Sequence, residues 1–345
     1  MSDIGKYIYG IINSDKKIFF SSGKVIAGEE VYTIPYKEIS AVVSDSEIVD
    51  YKCMLKETVA RYLLRHQLVI EKVMEEYNII PMQLGTYASD EEEVKNILDN
   101  GYKTIRDMFP KIEGKIEVDV VARWSNLDAV LKEVAEEEEI RVLKQALIDK
   151  IDKREGVTVD DQMKIGLLIK QHLDIRRERY GREIEISLSR ISQAHKTHSL
   201  MDDKMISNMA FLIEKSKLKD FEKKVEELND EFAERLSFKF VGPLPPYSFN
   251  TLEVKKISFA EITVAKGKLN LNDAATKEEI EKAYRHQALL CHPDKNGGTT
   301  DAHTQFDQLN KSYKILMEYC YGGFSSFKGE RFNKDVLIVK EKDWR

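Results

Sequence analysis

Val241-Gly242-Pro243-Leu244-Pro245-Pro246-Tyr247-Ser248-Phe249 is the stretch whose reading decides the fold. Three of the chain's seven prolines fall within its Pro243–Pro246 core. Proline fixes φ, lacks an N–H and pushes the residue before it toward extended geometry. Neither a helix nor a central strand is expected to run through Pro243–Pro246. Before it, Phe238-Lys239-Phe240-Val241 alternates as a strand does. After it come a short extended segment and then a helical module of different character. The nonapeptide therefore reads as a rigid exit from one body and the approach to another. The bland alternative is a Pro-rich loop of the polyproline-ligand kind. Such ligands sit in low-complexity surroundings, whereas this one is flanked by folded patterns.

Composition sets the bounds. At 345 residues, 42% hydrophobic and 33% charged, the chain predicts two or three soluble domains with sizeable cores. The formal net charge of −6 supplies no global basic field, so nucleic acid is not an expected partner. Cys53, Cys291 and Cys320 are scattered and form no C-x-x-C pair, which suits a reducing compartment better than a disulfide framework. Neither an export signal nor a membrane span is read, so a cytoplasmic protein is expected. The sequence contains no P-loop, no G-x-S-x-G elbow and no H-E-x-x-H. No catalytic residue, metal or cofactor is therefore expected.

In chain order, Lys6–Ile12 and Ile39–Ser44 read as strands, the first largely buried. A long helix over about 51–77 carries one apolar stripe that includes His66. His66 reads as a packed core or capping histidine rather than a ligand, because no titratable partner is evident. Ile79–Thr86 is extended, and Ser89 or Asp90 caps a helix over 91–108. This order predicts an α+β sandwich with helices on one sheet face. Lys115–Trp124 opens a second domain, followed by helices at about 126–152 and 159–194. Glu136–Glu139 reads as a solvated helix face in preference to an interaction patch. His195 and His198 have a weak metal-ligand look with no third ligand at recognisable spacing. A strand at 208–213, an amphipathic helix at 217–236 and a return strand at 237–241 lead into the opening nonapeptide.

Taken together, these segments resemble the gas vesicle GvpF/GvpL family over about 6–262. The matching text is the opening Tyr-x-Tyr-Gly-Ile, the Ile-Ser-Ala-Val-Val strand, the His66 helix before Ile-Pro-Met-Gln-x-Gly-Thr, and the Pro-rich signature. The signature residues are Gly242, Pro243, Pro245, Pro246, Tyr247, Ser248 and Phe249. The resemblance implies a minor component that binds the small hydrophobic shell protein, works among other gas vesicle accessory proteins, and resides in the cytoplasm or at the vesicle.

Beyond Gly267 the chain changes. Thr276-x-x-Glu279 is a capping box, and Ile280, Ala283, Tyr284, Ala288 and Cys291 line one side of the helix it starts. Lys282 and Arg285 stand three apart and so are neighbours on its charged face. Pro293 stops the helix, a Gly pair permits a tight loop, and a second helix restarts near Thr300. The text Ala-Thr-Lys-Glu-Glu-Ile-Glu-Lys-Ala-Tyr-Arg, His-Pro-Asp-Lys-Asn and Phe-x-x-Leu-Asn-x-Ser-Tyr resembles a J-domain over about 270–320. By that resemblance His292, Pro293 and Asp294 are the tripeptide that triggers ATP hydrolysis on a DnaK-type chaperone, and Lys282 and Arg285 contact its acidic surface. The pattern departs at Leu290 and Cys291, where a J-domain commonly has a basic residue and an aromatic. The first helix reads as abbreviated.

The expected architecture is thus α+β: two α/β sandwich (ferredoxin-like) domains at 1–112 and 113–262, a small helical J-domain-like module at 263–323, and a tail at 324–345. That tail holds a strand, Val336–Val339, able to join a sheet edge of the body or of a partner. The leading functional expectation is an accessory protein of gas vesicle assembly with a J-like module that recruits a DnaK-type chaperone. The alternative is a general J-domain co-chaperone with another client.

Overall fold

The computed structural model describes residues 4–20, 28–51, 54–153, 156–232, 234–291, 300–321, 326–327 and 336–342. The chain divides into two compact units, Met1–Glu113 with Asn250–Arg345, and Gly114–Phe249.

The first unit begins with β1 (Ile4–Ile12), β2 (Val31–Tyr36), β3 (Ile39–Glu47), α1 (Lys56–Met74), β4 (Ile79–Pro81), β5 (Tyr87–Ala88) and α2 (Glu91–Ile112). Its antiparallel sheet runs β2-β3-β1-β4, with β5 also on β1. Asp90 caps α2 by accepting from the Glu93 N–H. Ile8, Ile11, Ile34 and Ala41 pack with Val94, Ile97, Leu98 and Ile105 of α2. Tyr7 and Tyr9 point the other way, onto His66 of α1. The helices thus cover both faces of this sheet rather than the single face expected. The reason lies in β1, which is buried from Tyr7 through Ile12 and keeps no water-facing side.

The second unit contains β6 (Lys115–Trp124), α3 (Leu127–Ala135), α4 (Glu138–Asp152), α5 (Val159–Ser189), β7 (Ala194–Thr197), β8 (Met205–Glu214), α6 (Leu218–Glu231) and β9 (Leu236–Leu244). The sheet order β7-β8-β6-β9, antiparallel throughout, is the ferredoxin-like split βαβ arrangement. Ile116, Val118, Val120 and Trp124 alternate along β6 and face Val130, Tyr180, Ile184, Phe221 and Val225 of the helices. The helix expected at 126–152 is broken at Glu136–Glu137. Glu137 turns from solvent to pair with His172 and with Arg176, 2.6 Å away on α5. Glu136, Glu138 and Glu139 remain largely in water.

Two extended segments depart from expectation. β9 runs on to Leu244, through Gly242 and Pro243. It is an edge strand, and its register against β6 shifts between Glu117 and Asp119, so the proline sits in a bulge where no ladder N–H is needed. Gly242 is required there because a Cβ would lie 2.8 Å from Val118 Cγ1.

After Phe249 the chain returns to the first unit as β10 (Leu252–Ile257), α7 (Phe259–Lys268), α8 (Lys277–Cys291), α9 (Thr300–Tyr321) and β11 (Val336–Glu341). β11 pairs antiparallel with β10 along its whole length, Leu252 opposite Glu341 and Ile257 opposite Val336. The Gln83 N–H donates to the Leu252 carbonyl at 2.8 Å, tying this ribbon to the end of the first sheet. Leu252 and Val339 join the α2 core, whereas Ile257, Val336 and Ile338 join the core of the three helices. The compact units divide at 249/250, because the partners of β10 lie in the N-terminal region and the tail. The expected tail strand joins a sheet of the body.

Candidate functional site

The Pro-rich signature folds over the face of the second sheet opposite the one on which α5 and α6 pack. The Tyr247 N–H donates to the Pro245 carbonyl at 2.6 Å and the Phe249 N–H to that of Pro246 at 3.2 Å, closing a tight turn. Phe249 packs on Ala210 and Leu212 of β8, with Lys196 Nζ 5.6 Å from its ring centroid. Ser248 is the polar hub. Its N–H and its hydroxyl each donate to Glu117 at 2.7 Å, one to each carboxylate oxygen. Its carbonyl accepts from Lys196 Nζ at 2.6 Å, and its Oγ lies 3.1 Å from His198 Nε2.

Glu117 and Asp119 stand two apart on β6, hence on one face, Glu117 buried and Asp119 half-buried. Burial, then the neighbouring Asp119 carboxyl, pushes Glu117 up to about 8. Burial pushes Asp119 up to about 6. Burial, then the Lys196 ammonium, lowers His198. A neutral His198 donates from Nε2 to Ser248, which passes its own proton toward Glu117. Ser248 is only 6% exposed, and its N–H and hydroxyl are both spent on Glu117. The cluster is a latch that holds the signature to the sheet. Gly242, Pro243, Pro245, Pro246, Tyr247, Ser248 and Phe249 are thus brought together with four groups that sequence reasoning did not join to them. Glu117 and Asp119 entered the sequence reading only as members of the strand Lys115–Trp124, with no role assigned. The only signal was that a buried Pro-rich turn needs a polar floor.

His195 and His198 diverge. His195 Nε2 lies 3.0 Å from Glu185, while His198 serves the latch. Among the described residues no group of three or more His, Cys, Asp or Glu side chains is placed to hold a metal ion. His66 is buried, with Nδ1 2.8 Å from Tyr7 Oη and Nε2 3.1 Å from the Met82 carbonyl. A carbonyl only accepts, so Nε2 carries the proton and Nδ1 takes the Tyr7 hydroxyl. Burial lowers His66 to about 4. It is the expected core histidine, pinning α1 to the sheet.

In the helical module, Thr276 and Glu279 form the expected capping box at 3.3 and 2.8 Å. Tyr284 of α8 stacks on Tyr313 of α9 at 4.3 Å and donates to Asn310 at 2.6 Å. Lys282 and Arg285 are both exposed on α8, and Arg285 pairs with Glu281 at 3.1 Å. His292, Pro293 and Asp294 lie outside the described residues. The first helix is not abbreviated but starts earlier. Ser258 and Glu261 form a capping box that launches α7, and α7 packs on α9. That Ser-x-x-Glu signal was present in the sequence and passed over.

The module is fastened to the ribbon by charge as well as by apolar packing. Glu318 of α9 accepts from Lys255 of β10 at 2.7 Å and from Lys340 of β11 at 2.6 Å. Glu253 stands 3.8 and 3.9 Å from the same lysines. Burial acts to raise Glu318, and the two lysines overcome it and hold the carboxyl below its ordinary value.

Comparison with known proteins agrees with both halves. The profile of the gas vesicle synthesis protein GvpL/GvpF family matches residues 5–251, and that of the DnaJ domain matches residues 267–319. Gas vesicle protein F1 of Halobacterium salinarum is 25% identical over 72% of this chain and 93% of its own length. Gas vesicle protein F of Microcystis aeruginosa is 25% identical over 72% of this chain and 99% of its own. The crystal structure of GvpF from Anabaena sp. superposes with a TM-score of 0.58 at 25% identity, covering 72% of this chain and 98% of that one. Chaperone protein DnaJ of Clostridium botulinum is 42% identical over 50 residues, 13% of its length, so that likeness is confined to one domain. The chain belongs to the GvpL/GvpF family of gas vesicle synthesis proteins and carries a DnaJ domain after the family region.

Proposed function

We propose that this protein is a non-catalytic, cytoplasmic accessory factor of gas vesicle assembly. It holds the hydrophobic shell protein on its family region and presents it to a DnaK-type chaperone engaged by its J-domain. The observation that carries this reading is the mounting of the J-domain. The β10–β11 ribbon contributes Leu252 and Val339 to one core and Ile257, Val336 and Ile338 to the other. A J-domain fastened this way stays tethered to the family region, which raises its effective concentration at any client held on the same chain.

Support for client binding comes from α5. Val159, Met163, Leu167 and Ile175 are exposed along it at multiples of four residues. A shell subunit with a large apolar face needs such a surface to keep it from self-association. Support for chaperone contact comes from Lys282 and Arg285, exposed on the helix that leads into His292-Pro293-Asp294.

The test is co-expression with the shell protein followed by pulldown. The parent chain retains shell protein, and Met163→Lys/Leu167→Lys loses it while keeping the parent's circular dichroism and melting. Equal retention by both chains removes α5 from the reading. No retention by the parent overturns the client half of it.

A further inference from the structure

A second charged feature lies away from the chaperone face. The ribbon, α7, the start of α8 and α9 border an open groove of about 950 Å³. Among the described residues six lysines line it: Lys255 and Lys256 from β10, Lys277 from α8, Lys311 and Lys314 from α9, and Lys340 from β11. Among the described residues two carboxylates line it, Glu261 and Glu318. Nearby, Glu253 approaches Lys255 and Lys340, and Glu93 reaches Lys256 at 3.4 Å. Among the described residues, lysines still outnumber carboxylates when these are included. In a chain of net charge −6 this concentration runs against the global sign.

The cavity continues into a smaller one of about 320 Å³, with which it shares Glu261, Lys311 and Ile315. That annex lies between α7 and α9, and Ala260, Val264, Ala265 and Ile315 make it largely apolar. Val264 is 58% exposed there. Neither Lys282 nor Arg285 lines either cavity.

We propose that this composite groove docks an acidic segment of a partner protein, with carboxylates on the lysines and one aliphatic side chain anchored in the annex. Charge complementarity selects an acidic ligand. The apolar annex selects a peptide over a free phosphate or nucleotide, which has nothing aliphatic to place there. Tyr313 lines the larger cavity, but one face of its ring is already taken by Tyr284, so it makes a poor platform for a nucleic-acid base. The groove gives the J-domain half of the chain a contact surface separate from its chaperone face.

The test is fluorescence anisotropy of the full chain with a labelled peptide of sequence Gly-Asp-Glu-Glu-Leu-Glu-Asp-Gly. Saturable binding is expected, weakening as salt rises. Lys311→Glu/Lys314→Glu weakens it by about tenfold or more, because the new charges repel the probe. Replacing the probe's leucine by glycine weakens binding to the parent and has no effect on a Val264→Asp variant. Lys282→Ala/Arg285→Ala leaves binding unchanged. Circular dichroism and melting of each variant are compared with the parent, and the salt series and the leucine-free probe need no variant at all. The proposal is overturned by absence of saturation, by equal binding of the leucine and glycine probes to the parent, or by a loss in Lys282→Ala/Arg285→Ala as large as in the charge reversal. It is also overturned if inorganic triphosphate or a short DNA oligonucleotide displaces the probe at lower concentration than unlabelled peptide does.

Discussion

Gly101 sits in the interior of α2, where glycine is about 1 kcal/mol less favourable than alanine. The structure gives the reason it is there. A Cβ at this position would lie 2.7 Å from Val339 Cγ1 and 2.8 Å from Val339 Cβ, both on β11. Gly101→Ala therefore gains about 1 kcal/mol of helix preference and sets against it an overpacking term of about 1–3 kcal/mol. The net effect is destabilisation of the ribbon by up to about 2 kcal/mol. Val339→Ala alone removes two buried methyl groups and costs about 2 kcal/mol with its cavity. In the double variant the contact with Cγ1 is gone, and of residue 339 only the retained Cβ must still give way to the new methyl. Its cost is expected to fall below the sum of the singles by about 1–2 kcal/mol. The assay is native-state hydrogen exchange of the amides in 252–257 and 336–341, which reads local opening without requiring the whole chain to unfold in two states. Additivity of the two substitutions, within about 0.5 kcal/mol, refutes the packing of the tail strand on α2.

Three further outcomes follow from the buried polar groups and the J-domain. Glu117 is held protonated well above its ordinary 4.5, up to about 8. Its contribution is full below pH 4.5 and is lost as pH rises toward 8, by about 4–5 kcal/mol at most. Glu117→Gln should flatten that slope, because an amide does not titrate, and should cost stability at every pH by leaving Ser248 one acceptor fewer. Urea unfolding at pH 5 and pH 8, followed by Trp124 in a Trp344→Phe background, checks this, and an unchanged slope counts against it. His66 is lowered to about 4, so its contribution is full above pH 6.5 and is lost as pH falls through that window, by about 3 kcal/mol. Tyr7→Phe leaves Nδ1 without its donor and should destabilise the first unit by about 1–3 kcal/mol at pH 7, measured by hydrogen exchange in β1 and α1. Lys282→Ala/Arg285→Ala should slow association with a DnaK-type chaperone and flatten its salt dependence, as stopped-flow rates at several ionic strengths will show.

Periodicity carried most of the fold. Alternation along Ile116–Trp124 and the capping box at Thr276 gave β6 and α8 because each is a local pattern with a local cause. The ribbon was less legible. Val336–Val339 could be read as a strand, but its pairing with Leu252–Ile257 depends on chain neighbours some eighty residues apart. The latch was hidden for the same reason, since Glu117 and Ser248 are 131 residues apart. An acid on an alternating strand reads as solvated until something folds over it. α7 was passed over because its apolar residues are few, although Ser258 and Glu261 marked its start.

The central claim is that a J-domain mounted on a gas vesicle family body acts on a chaperone for the client that the body holds. The direct measurement is steady-state ATPase of a DnaK-type chaperone with the full chain, with shell protein present and absent, alongside His292→Gln and Asp294→Asn. The account predicts stimulation by the parent, enhanced when shell protein is present, and none by either variant, although both still retain shell protein in a pulldown. Absence of stimulation by a folded parent in both conditions, or equal stimulation by the variants, contradicts it.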